Sequence, residues 1–355
     1  MFDSRRIGLI VVLGIALAGV AQAAEEPLAI QDFAGRTVRV PRQLRSVFPA
    51  GPPAALLLFT LAPDRLLGWP TGASAEVNAF LPEKYRSLPT VGRLSGRGST
   101  ANLEDVVRLA PDLILDVGPA TGASRALSER LTHQLSIPCM LLDGSLDGLP
   151  KTYRLLGGLL GVSARAERLA TYIEQALAEV DRALARAPAE ARPRIYYGRG
   201  PKGLETGTAR SINTEVFERA GAVNVAAKAG AAGTMVQVSL EDVLRWNPQM
   251  LFCLDDNIDR TMRSSPSWQS LAAARAGRVF RMPTLPFGWV DYPPAVNRVL
   301  GLRWLAGLFH PTLFHTELRG LVREFYTLFY HRTPSEQQLD FLLRQASGQA
   351  ESKAR

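Results

Sequence analysis

The chain has 355 residues with a formal net charge of +8 at pH 7, and 46% of the residues are hydrophobic. Its length is enough for two cores of ordinary size. The basic excess is spread along the chain without a Lys/Arg block, whereas a nucleic-acid surface usually clusters its charge, so we expect no nucleic-acid partner. A solvated surface and a preference for an anionic ligand both remain open.

The N-terminus reads as a secretory signal. Arg5 and Arg6 precede an apolar run over 7–20, and residues 21–23 read Ala-Gln-Ala, which is typical of a cleavage site. About 14 apolar residues are too few to span ~30 Å of hydrocarbon, which disfavours a membrane anchor. No cysteine lies near the cleavage site to carry a lipid. We expect residues 1–23 to be removed and the mature chain to lie in the periplasm.

Strands and helices then alternate. A hairpin is predicted over 31–40 with Gly35 at its turn, followed by strands over 46–48, 65–69, 113–117 and 139–142 and helices over 54–61 and 124–135. The alternation predicts a parallel sheet covered on both faces. Cys139 and Cys253 each lie in an apolar strand-like run in different halves, and we expect two buried free thiols.

A long amphipathic segment separates the two halves. Ser163 is its predicted N-cap, and the following apolar residues keep a 3.6-residue period to Leu184. Roughly 24 residues at 1.5 Å each give about 36 Å, long enough to run from one lobe to another. The second half repeats the scheme with strands over 194–197, 250–254 and 279–282, helices over 214–220 and 268–274, and three further helices over 296–308, 317–330 and 335–345.

One segment occurs twice. Residues 102–115 and 239–252 agree at six of fourteen positions: Leu103/Leu240, Glu104/Glu241, Asp105/Asp242, Val106/Val243, Arg108/Arg245 and Pro111/Pro248. A spacing of 137 residues is too long for a solenoid repeat and suits a duplicated domain. Each copy predicts an N-cap, at Asn102 or Ser239, with a capping-box aspartate three places on, a helix ended by proline, and a buried strand. The sequence predicts two similar α/β lobes with parallel sheets, joined by one long helix, with a ligand cleft between them.

Taken together, these features resemble one family: the class III periplasmic substrate-binding proteins of ABC importers for iron-siderophore complexes, haem and cobalamin. The resemblance covers about residues 28–310. Its most specific parts are the paired Leu-Glu-Asp-Val segments, Gly203-Leu204-Glu205-Thr206-Gly207, and Trp268-Gln269-Ser270-Leu271 running to Gly277-Arg278-Val279-Phe280. It implies a signal peptide over 1–23, lobes over 24–160 and 189–310 around a bridging helix over 161–188, and a C-terminal helical extension over 311–355 that has no assigned task.

The resemblance implies binding without chemistry or a cofactor. Ferric siderophore is the first expectation for the ligand, with haem, cobalamin or an oxyanion such as molybdate as alternatives. The partners would be an inner-membrane permease and its ATPase, and the chain would be a monomer. Two other classes stay open: a bilobal periplasmic enzyme using Asp291 or the Gly198 loop, and a sensor for a different membrane protein.

Two glutamates are the expected docking residues. In the family, one acidic residue in each lobe docks on arginines of the permease, and the matching residues here are Glu104 and Glu241. Two equivalent carboxylates on pseudo-symmetric lobes suit a partner with twofold symmetry. Alternatively, each glutamate merely interacts favourably with the positive end of its own helix.

The expected ligand site lies outside the carboxyl ends of the strands, where open α/β sheets bind ligands. Arginine forks and phenols suit anionic chelates, and aromatic faces suit flat organic ligands. The candidates are Gly51, Trp69, Arg93, Arg97, Tyr197, Arg199, Trp289, Asp291 and Tyr292. Taken singly, Arg97 or Arg199 fits a surface role better, and Trp289 with Tyr292 fits a lobe-packing cluster equally well.

Two other kinds of site are disfavoured. The four histidines form no tight ligand spacing, so the chelator rather than the protein is expected to hold the metal. Residues 198–203 match G-x-G-x-x-G after a strand, but Pro201 intervenes and no helix is predicted to follow, as a dinucleotide site requires.

Overall fold

The computed structural model describes residues 26–96, 98–315 and 317–347. The predicted secretory signal and Arg97 lie outside the described residues. Eleven strands are assigned: β1 (Leu28–Gln31), β2 (Thr37–Val40), β3 (Val47–Pro49), β4 (Leu113–Val117), β5 (Cys139–Leu142), β6 (Arg194–Gly198), β7 (Glu205–Gly207), β8 (Val223–Asn224), β9 (Met235–Gln237), β10 (Met250–Cys253) and β11 (Val279–Arg281).

The helices surround these strands, and short 3₁₀ turns occur at Pro63–Arg65 and Ala189–Ala191. They are α1 (Pro52–Leu61), α2 (Ala75–Phe80), α3 (Glu83–Arg86), α4 (Leu103–Leu109), α5 (Gly122–Leu135), α6 (Leu149–Leu159), α7 (Ser163–Leu184), α8 (Glu215–Arg219), α9 (Leu240–Trp246), α10 (Asp256–Ser264), α11 (Pro266–Gln269), α12 (Ala272–Arg275), α13 (Asn297–Phe309), α14 (Leu318–Phe329) and α15 (Glu336–Ala346). Within these described ranges, every helix is too short or too polar to span a lipid bilayer.

Two parallel sheets form the centres of two lobes. The first has the order β3-β4-β5 and the second the order β11-β10-β6-β8, and every pairing in them is parallel. Strands β3, β4 and β5 therefore match β6, β10 and β11 in order and direction, which confirms the predicted repetition of the scheme. Their residues are almost all buried, as strands covered on both faces must be.

The match extends to individual hydrogen bonds before the central strand of each sheet. The Ser46 amide donates to the Asp112 carboxylate at 2.9 Å, and the Arg194 amide donates to the Gln249 side chain at 2.8 Å. In return, the Asp112 amide donates to the Ser46 carbonyl at 2.9 Å and the Gln249 amide to the Arg194 carbonyl at 2.7 Å. In each sheet, a side chain just before the central strand therefore fixes the alignment of that strand with its neighbour.

Helix α7 lies between the lobes in the chain and contacts both. Near its start, Arg165 donates to the Thr60 carbonyl at 2.9 Å, and near its end, Asp181 pairs with Arg219 of α8. Its 22 residues give about 33 Å of length. The predicted cap was wrong by one residue: Ser163 is the first helical residue and Val162 the N-cap, because the tight turn at Gly161 (φ 71°) starts the helix at once.

Three other local predictions need correction. Residues 65–69 form no regular strand but only isolated bridges, Val47 with Leu66 and Trp69 with Thr90. The single helix predicted over 268–274 is two short helices, since the chain bends at Ser270 and Leu271. The capping box forms only in the second copy.

Both repeat helices end as predicted. In the first copy, Asn102 caps the Glu104 amide at 2.9 Å, while Asp105 pairs with Arg108 instead of closing a capping box. Each helix closes with a left-handed residue, Ala110 or Asn247, directly before the predicted proline.

The last two helices, α14 and α15, return the chain to the first lobe. Phe325 and Phe329 of α14 lie against Tyr172 of α7, and Tyr330 packs on Phe59 of α1 with ring centroids 6.4 Å apart. Gln338 of α15 donates to the Ala79 carbonyl at 3.0 Å. The helices after residue 312 are thus part of the first lobe's packing, and the predicted division of the chain at residues 160, 188 and 310 stays a prediction.

Candidate ligand cleft

The loops at the carboxyl ends of the two sheets meet each other. After β5, the Leu146 amide donates to Glu215 of the second lobe at 3.0 Å, and a Cβ on Gly144 would lie 3.1 Å from Ile212. Open α/β sheets bind ligands at the carboxyl ends of their strands. The boundary between the lobes on this side is therefore the candidate ligand cleft.

A buried carboxylate organises the second-lobe side of the cleft. Asp291 is fully buried and accepts hydrogen bonds from the Tyr197 hydroxyl at 2.8 Å and from the side-chain Nδ2 of Asn213 at 2.9 Å. The guanidinium of Arg199 lies 3.3 Å from the same carboxylate. Burial raises the pKa of Tyr197 well above its usual value, with the Asp291 charge adding to it, so the phenol stays protonated and donates.

Tyr292 stands next to this cluster and is open to solvent. Its side chain is 68% exposed, the largest value among the exposed large hydrophobic side chains of the described residues. Its φ of 66° is uncommon for a bulky residue, and its amide donates to the Asp291 carboxylate at 2.7 Å. An aromatic ring held outward on an unfavourable backbone is typical of a site that presents it to a ligand.

The first-lobe side carries a second buried carboxylate. Asp116, 7% exposed at the end of β4, accepts from the Ser95 hydroxyl at 2.8 Å and from the Val117 amide at 3.0 Å. Burial raises its pKa. A Cβ on Gly51, after β3, would lie 2.9 Å from the Ser95 hydroxyl, so a side chain here would press on that hydroxyl.

Among the predicted site residues, the structure brings Tyr197, Arg199, Asp291 and Tyr292 together. Gly51 lies at the carboxyl end of the other sheet, close to Ser95. Arg93 is half-buried and donates to the Gly98 carbonyl at 3.2 Å, so it ties its own loop.

The two predicted tryptophans are buried and occupied. Trp69 is 7% exposed, donates to the Tyr85 carbonyl at 2.9 Å and packs on Phe59. Trp289 is fully buried and donates to the Tyr326 hydroxyl at 3.0 Å. Both make contacts of the lobe-packing kind, and their role in binding stays a prediction.

The two predicted docking residues occupy equivalent places. Glu104 and Glu241 are each the second residue of a short capped helix, α4 or α9, and both are exposed. No ion pair is assigned to either among the described residues. Both carboxylates are therefore without an ion-pair partner within the described part of the chain.

Sequence reasoning missed Asp116, Ser95 and Asn213. It also missed Arg298, whose buried guanidinium donates to the Ile212 carbonyl at 3.0 Å and pairs with Glu215. The available signal for Asp116 was a single charge in the apolar run 113–117, and for Arg298 it was one of two arginines in the largely apolar segment 297–309. Asn213 and Ser95 lie in loops and carry no such signal.

Three other features of the described residues provide no competing site at the cleft. A cavity of about 520 Å³ is lined by Arg303, Trp304 and Phe314 between α13 and α14, away from the strand ends. In residues 26–96, 98–315 and 317–347, no group of three or more His, Cys, Asp or Glu side chains is placed to hold a metal ion. The Gly198–Gly203 segment leads into β7, not a helix, so it lacks the helix N-terminus of a dinucleotide site.

Comparison with known proteins finds relatives of this chain. The molybdate-binding protein MolA of Haemophilus influenzae is 34% identical over 118 residues, covering 32% of this chain and 33% of the relative. The vitamin B12-binding protein of Pectobacterium atrosepticum is 30% identical over 191 residues, covering 53% of this chain and 65% of the relative. The chain thus spans less than two thirds of the length of either relative.

Solved structures share the fold. An ABC transporter solute binding protein from Sulfurospirillum deleyianum superposes with a TM-score of 0.78 at 23% identity, covering 89% of this chain and 99% of the other. The structure of MolA from Haemophilus influenzae bound to molybdate gives a TM-score of 0.72 at 21% identity, covering 87% and 99%. At these identities the likeness concerns the fold.

A match to a sequence profile over more than half of the chain shows which family the chain belongs to. The sequence profile of the periplasmic binding protein family matches residues 73–285, which run from the first lobe through α7 into the second. The matched lobes, the parallel sheets and the single helix between them are the architecture predicted from the sequence. The chain belongs to the periplasmic binding protein family, in the class III group whose two lobes are joined by one long helix.

Proposed function

We propose that this chain is the periplasmic solute-binding component of an ABC importer, which holds its ligand between the lobes and delivers it to an inner-membrane permease. One observation carries the proposal: two topologically equivalent lobes turn their strand ends toward one cleft, and each presents an exposed glutamate at the same helical position. Ligand binding needs the shared cleft, and docking needs the paired glutamates. Catalysis would need neither repeated lobes nor paired glutamates.

The ligand we propose is a metal chelate with an organic surface. Asp291 already neutralises the charge of Arg199. The buried Asp116 on the first-lobe side is acidic, so it adds no positive charge that would attract a small bare oxyanion. The exposed ring of Tyr292 offers an aromatic face instead. Ferric siderophore is the first ligand that we expect. Cobalamin and molybdate, which the names of the relatives give, are the alternative ligands to be tested.

A ligand screen tests this proposal. The mature protein is purified after refolding to remove bound solute, and its melting temperature is measured with ferric siderophores, haem, cyanocobalamin and molybdate. A ligand at about 100 times its dissociation constant adds about 2.7 kcal/mol to the free energy of unfolding, which gives a clear shift. A shift with molybdate alone would contradict the chelate proposal, and release of a chemically altered ligand would favour the enzyme alternative.

Docking is tested separately with charge reversals. A Glu104→Arg, Glu241→Arg double variant should bind ligand normally and lose stimulation of the reconstituted permease–ATPase complex, because docking steered by charge is reversed. Glu76→Arg is the matched control, since Glu76 is also an exposed second residue of a helix, α2. Unchanged stimulation in the double variant would refute the docking role.

A further inference from the structure

The loop that carries Asp291 and Tyr292 has no regular structure of its own. No strand or helix is assigned between β11 and α13, all of which the structure describes. Within it, residues 288–295, which we name the Tyr292 loop, close on themselves where the Gly288 amide donates to the Tyr292 carbonyl at 3.1 Å. Tyr292 combines an unfavourable φ of 66° with an exposed ring, so packing of its own side chain does not hold it there. Its position must be fixed by the groups that bind the loop backbone.

One buried amide side chain binds this loop at three backbone groups. Asn297, the first residue of α13, is fully buried. Its Nδ2 donates to the Gly288 carbonyl and, at 2.9 Å, to the Pro293 carbonyl. Its Oδ1 accepts from the Ala295 amide at 3.1 Å. The side chain therefore joins the two ends of the Tyr292 loop.

These hydrogen bonds do not serve the helix on which Asn297 lies. An asparagine at a helix start usually accepts from an amide of the first turn of its own helix. The three groups that Asn297 binds all precede α13 instead, and the N-cap residue, Val296, makes no side-chain cap bond. The bonds of Asn297 are therefore directed at the loop.

A glycine one turn along α13 brings the loop onto the helix. Gly301 is four residues after Asn297 and so lies on the same face of α13. A Cβ on Gly301 would lie 2.0 Å from the Trp289 carbonyl oxygen, which is closer than real Cβ atoms approach. The backbone of the Tyr292 loop thus rests directly on this face, where Asn297 can bind it.

We propose that Asn297 is a positioning residue for ligand binding, which holds the Tyr292 loop against α13 so that Tyr292 presents its ring to the cleft. The inference rests on the proposed function, through the aromatic face that Tyr292 offers to the ligand. Because Asn297 is fully buried, it acts through the loop and does not touch the ligand. Leucine has a similar size but would leave two carbonyls and one amide without their side-chain partner.

Hydrogen exchange tests the positioning without a ligand. In the full mature protein, Asn297→Leu should let the backbone amides of residues 288–295 exchange at least about tenfold faster, because the loop opens locally. Asn224→Leu is the matched control and should leave their exchange native. Asn224 is also a buried asparagine of the second lobe, and it donates to the Gly207 carbonyl at 2.9 Å and accepts from the Ala226 amide at 3.0 Å.

A milder pair of variants covers a failure to fold. If circular dichroism shows that Asn297→Leu is unfolded, Asn297→Ser replaces it, with Asn224→Ser as the control. Serine keeps one donor and one acceptor on a shorter side chain, so the same effect should appear at a smaller size.

Calorimetric titration tests whether the loop acts on the ligand. Ferrioxamine B, ferric enterobactin, haem, cyanocobalamin and molybdate are the probes, titrated into the native protein, Asn297→Leu, Tyr292→Gly and the double variant. For a probe that binds the native protein, Asn297→Leu should weaken binding by about tenfold. It should cause no further loss when residue 292 is already glycine, because both changes remove the same aromatic contact. Asn224→Leu should bind like the native protein.

The outcomes separate this inference from the proposed function. Native exchange over 288–295 in Asn297→Leu, native affinity in either single variant, or fully additive losses in the double variant would overturn the inference while the proposed function stands. An equal loss of affinity in Asn224→Leu would assign the effect to general destabilisation and overturn it as well. If no probe binds the native protein, the ligand proposal fails and this inference fails with it.

Discussion

The guanidinium of Arg298 in the second lobe donates to the carbonyl oxygen of Gly144 in the first. The same side chain, fully buried, also donates to the Ile212 carbonyl at 3.0 Å and pairs with Glu215. Glu215 in turn accepts from the Leu146 amide at 3.0 Å. One cation therefore joins the loops of both lobes at the cleft, in addition to the covalent link through α7.

Removing this cation should destabilise the protein strongly. Arg298→Met removes the cation paired with Glu215 and the donor to the Gly144 and Ile212 carbonyls, and we expect a loss of roughly 3 kcal/mol or more in the free energy of unfolding. Urea denaturation measures it. Arg125→Met, which breaks an exposed pair with Glu129 on α5, is the control and should cost less than about 1 kcal/mol. Equal losses in the two variants would contradict the structural role of Arg298.

The exposed ring beside Asp291 should matter for binding and little for folding. Tyr292→Gly removes the aromatic face and places glycine at a φ of 66°, which glycine adopts readily. We expect an unchanged melting temperature within about 2 °C, since surface changes stay near ±0.5 kcal/mol. The affinity for the ligand found by the screen should fall at least about tenfold, as loss of an aromatic contact allows. Calorimetric titration showing native affinity would exclude Tyr292 from the site.

The buried His331 should make the protein less stable as the pH falls below neutrality. Burial, with the nearby Arg165 charge, lowers the pKa of His331 below 6.5. The unfolded chain therefore takes up the proton first as the pH falls through 6.5, so the free energy of unfolding decreases until the folded-state pKa is reached. The fall should be smaller in His331→Asn, which tolerates the left-handed backbone (φ 55°) and cannot titrate.

Urea denaturation between about pH 7.5 and pH 5.5 measures this dependence. His310 contributes in the same direction, because burial lowers its pKa as well, so the variant should retain part of the slope. A variant with the full native slope would show that His331 does not titrate differently in the folded and unfolded states.

The two copies of the repeat helix should lose different amounts of stability on the same substitution. Leu240→Ser removes a half-buried contact with the second-lobe core and should cost about 1–2 kcal/mol, whereas Leu103→Ser removes an exposed side chain and should cost less than about 0.5 kcal/mol. Thermal unfolding compares the two variants directly. Similar losses would mean that α4 is covered by its own lobe, contrary to the exposure seen here.

The repeat and the long helix were predictable because each depends on local signals. Asn102 or Ser239 marks a helix start, a proline marks its end, and the apolar period up to Leu184 defines α7 without any knowledge of its neighbours. The capping box forms only in the second copy, where Ser239 accepts from the Asp242 amide. In the first copy, Asn102 accepts from the Glu104 amide instead, while the aspartate–arginine pair three residues apart is present in both copies.

The site was less predictable because its residues are positioned by distant chain segments. Asp291 is held by Tyr197 and Asn213, which are 94 and 78 residues away in sequence. Trp69, at the end of a predicted strand, packs among Phe59, Tyr85 and Phe287, contacts that no local pattern indicates, while its role in binding stays a prediction. Burial and partner choice are tertiary properties, and the sequence pattern constrains them weakly.

The return of the chain to its starting lobe constrains the order of folding. The ring of His331 contacts the Phe59 carbonyl at 2.8 Å across 272 residues of sequence, and Tyr330 lies beside it. Contacts of such separation close late, because the entropy of the intervening loop opposes them. A chain that ends before α14 would leave the apolar side chains of α1 and α7 exposed. The first lobe should therefore be the lobe that fails to fold when synthesis or export stops early.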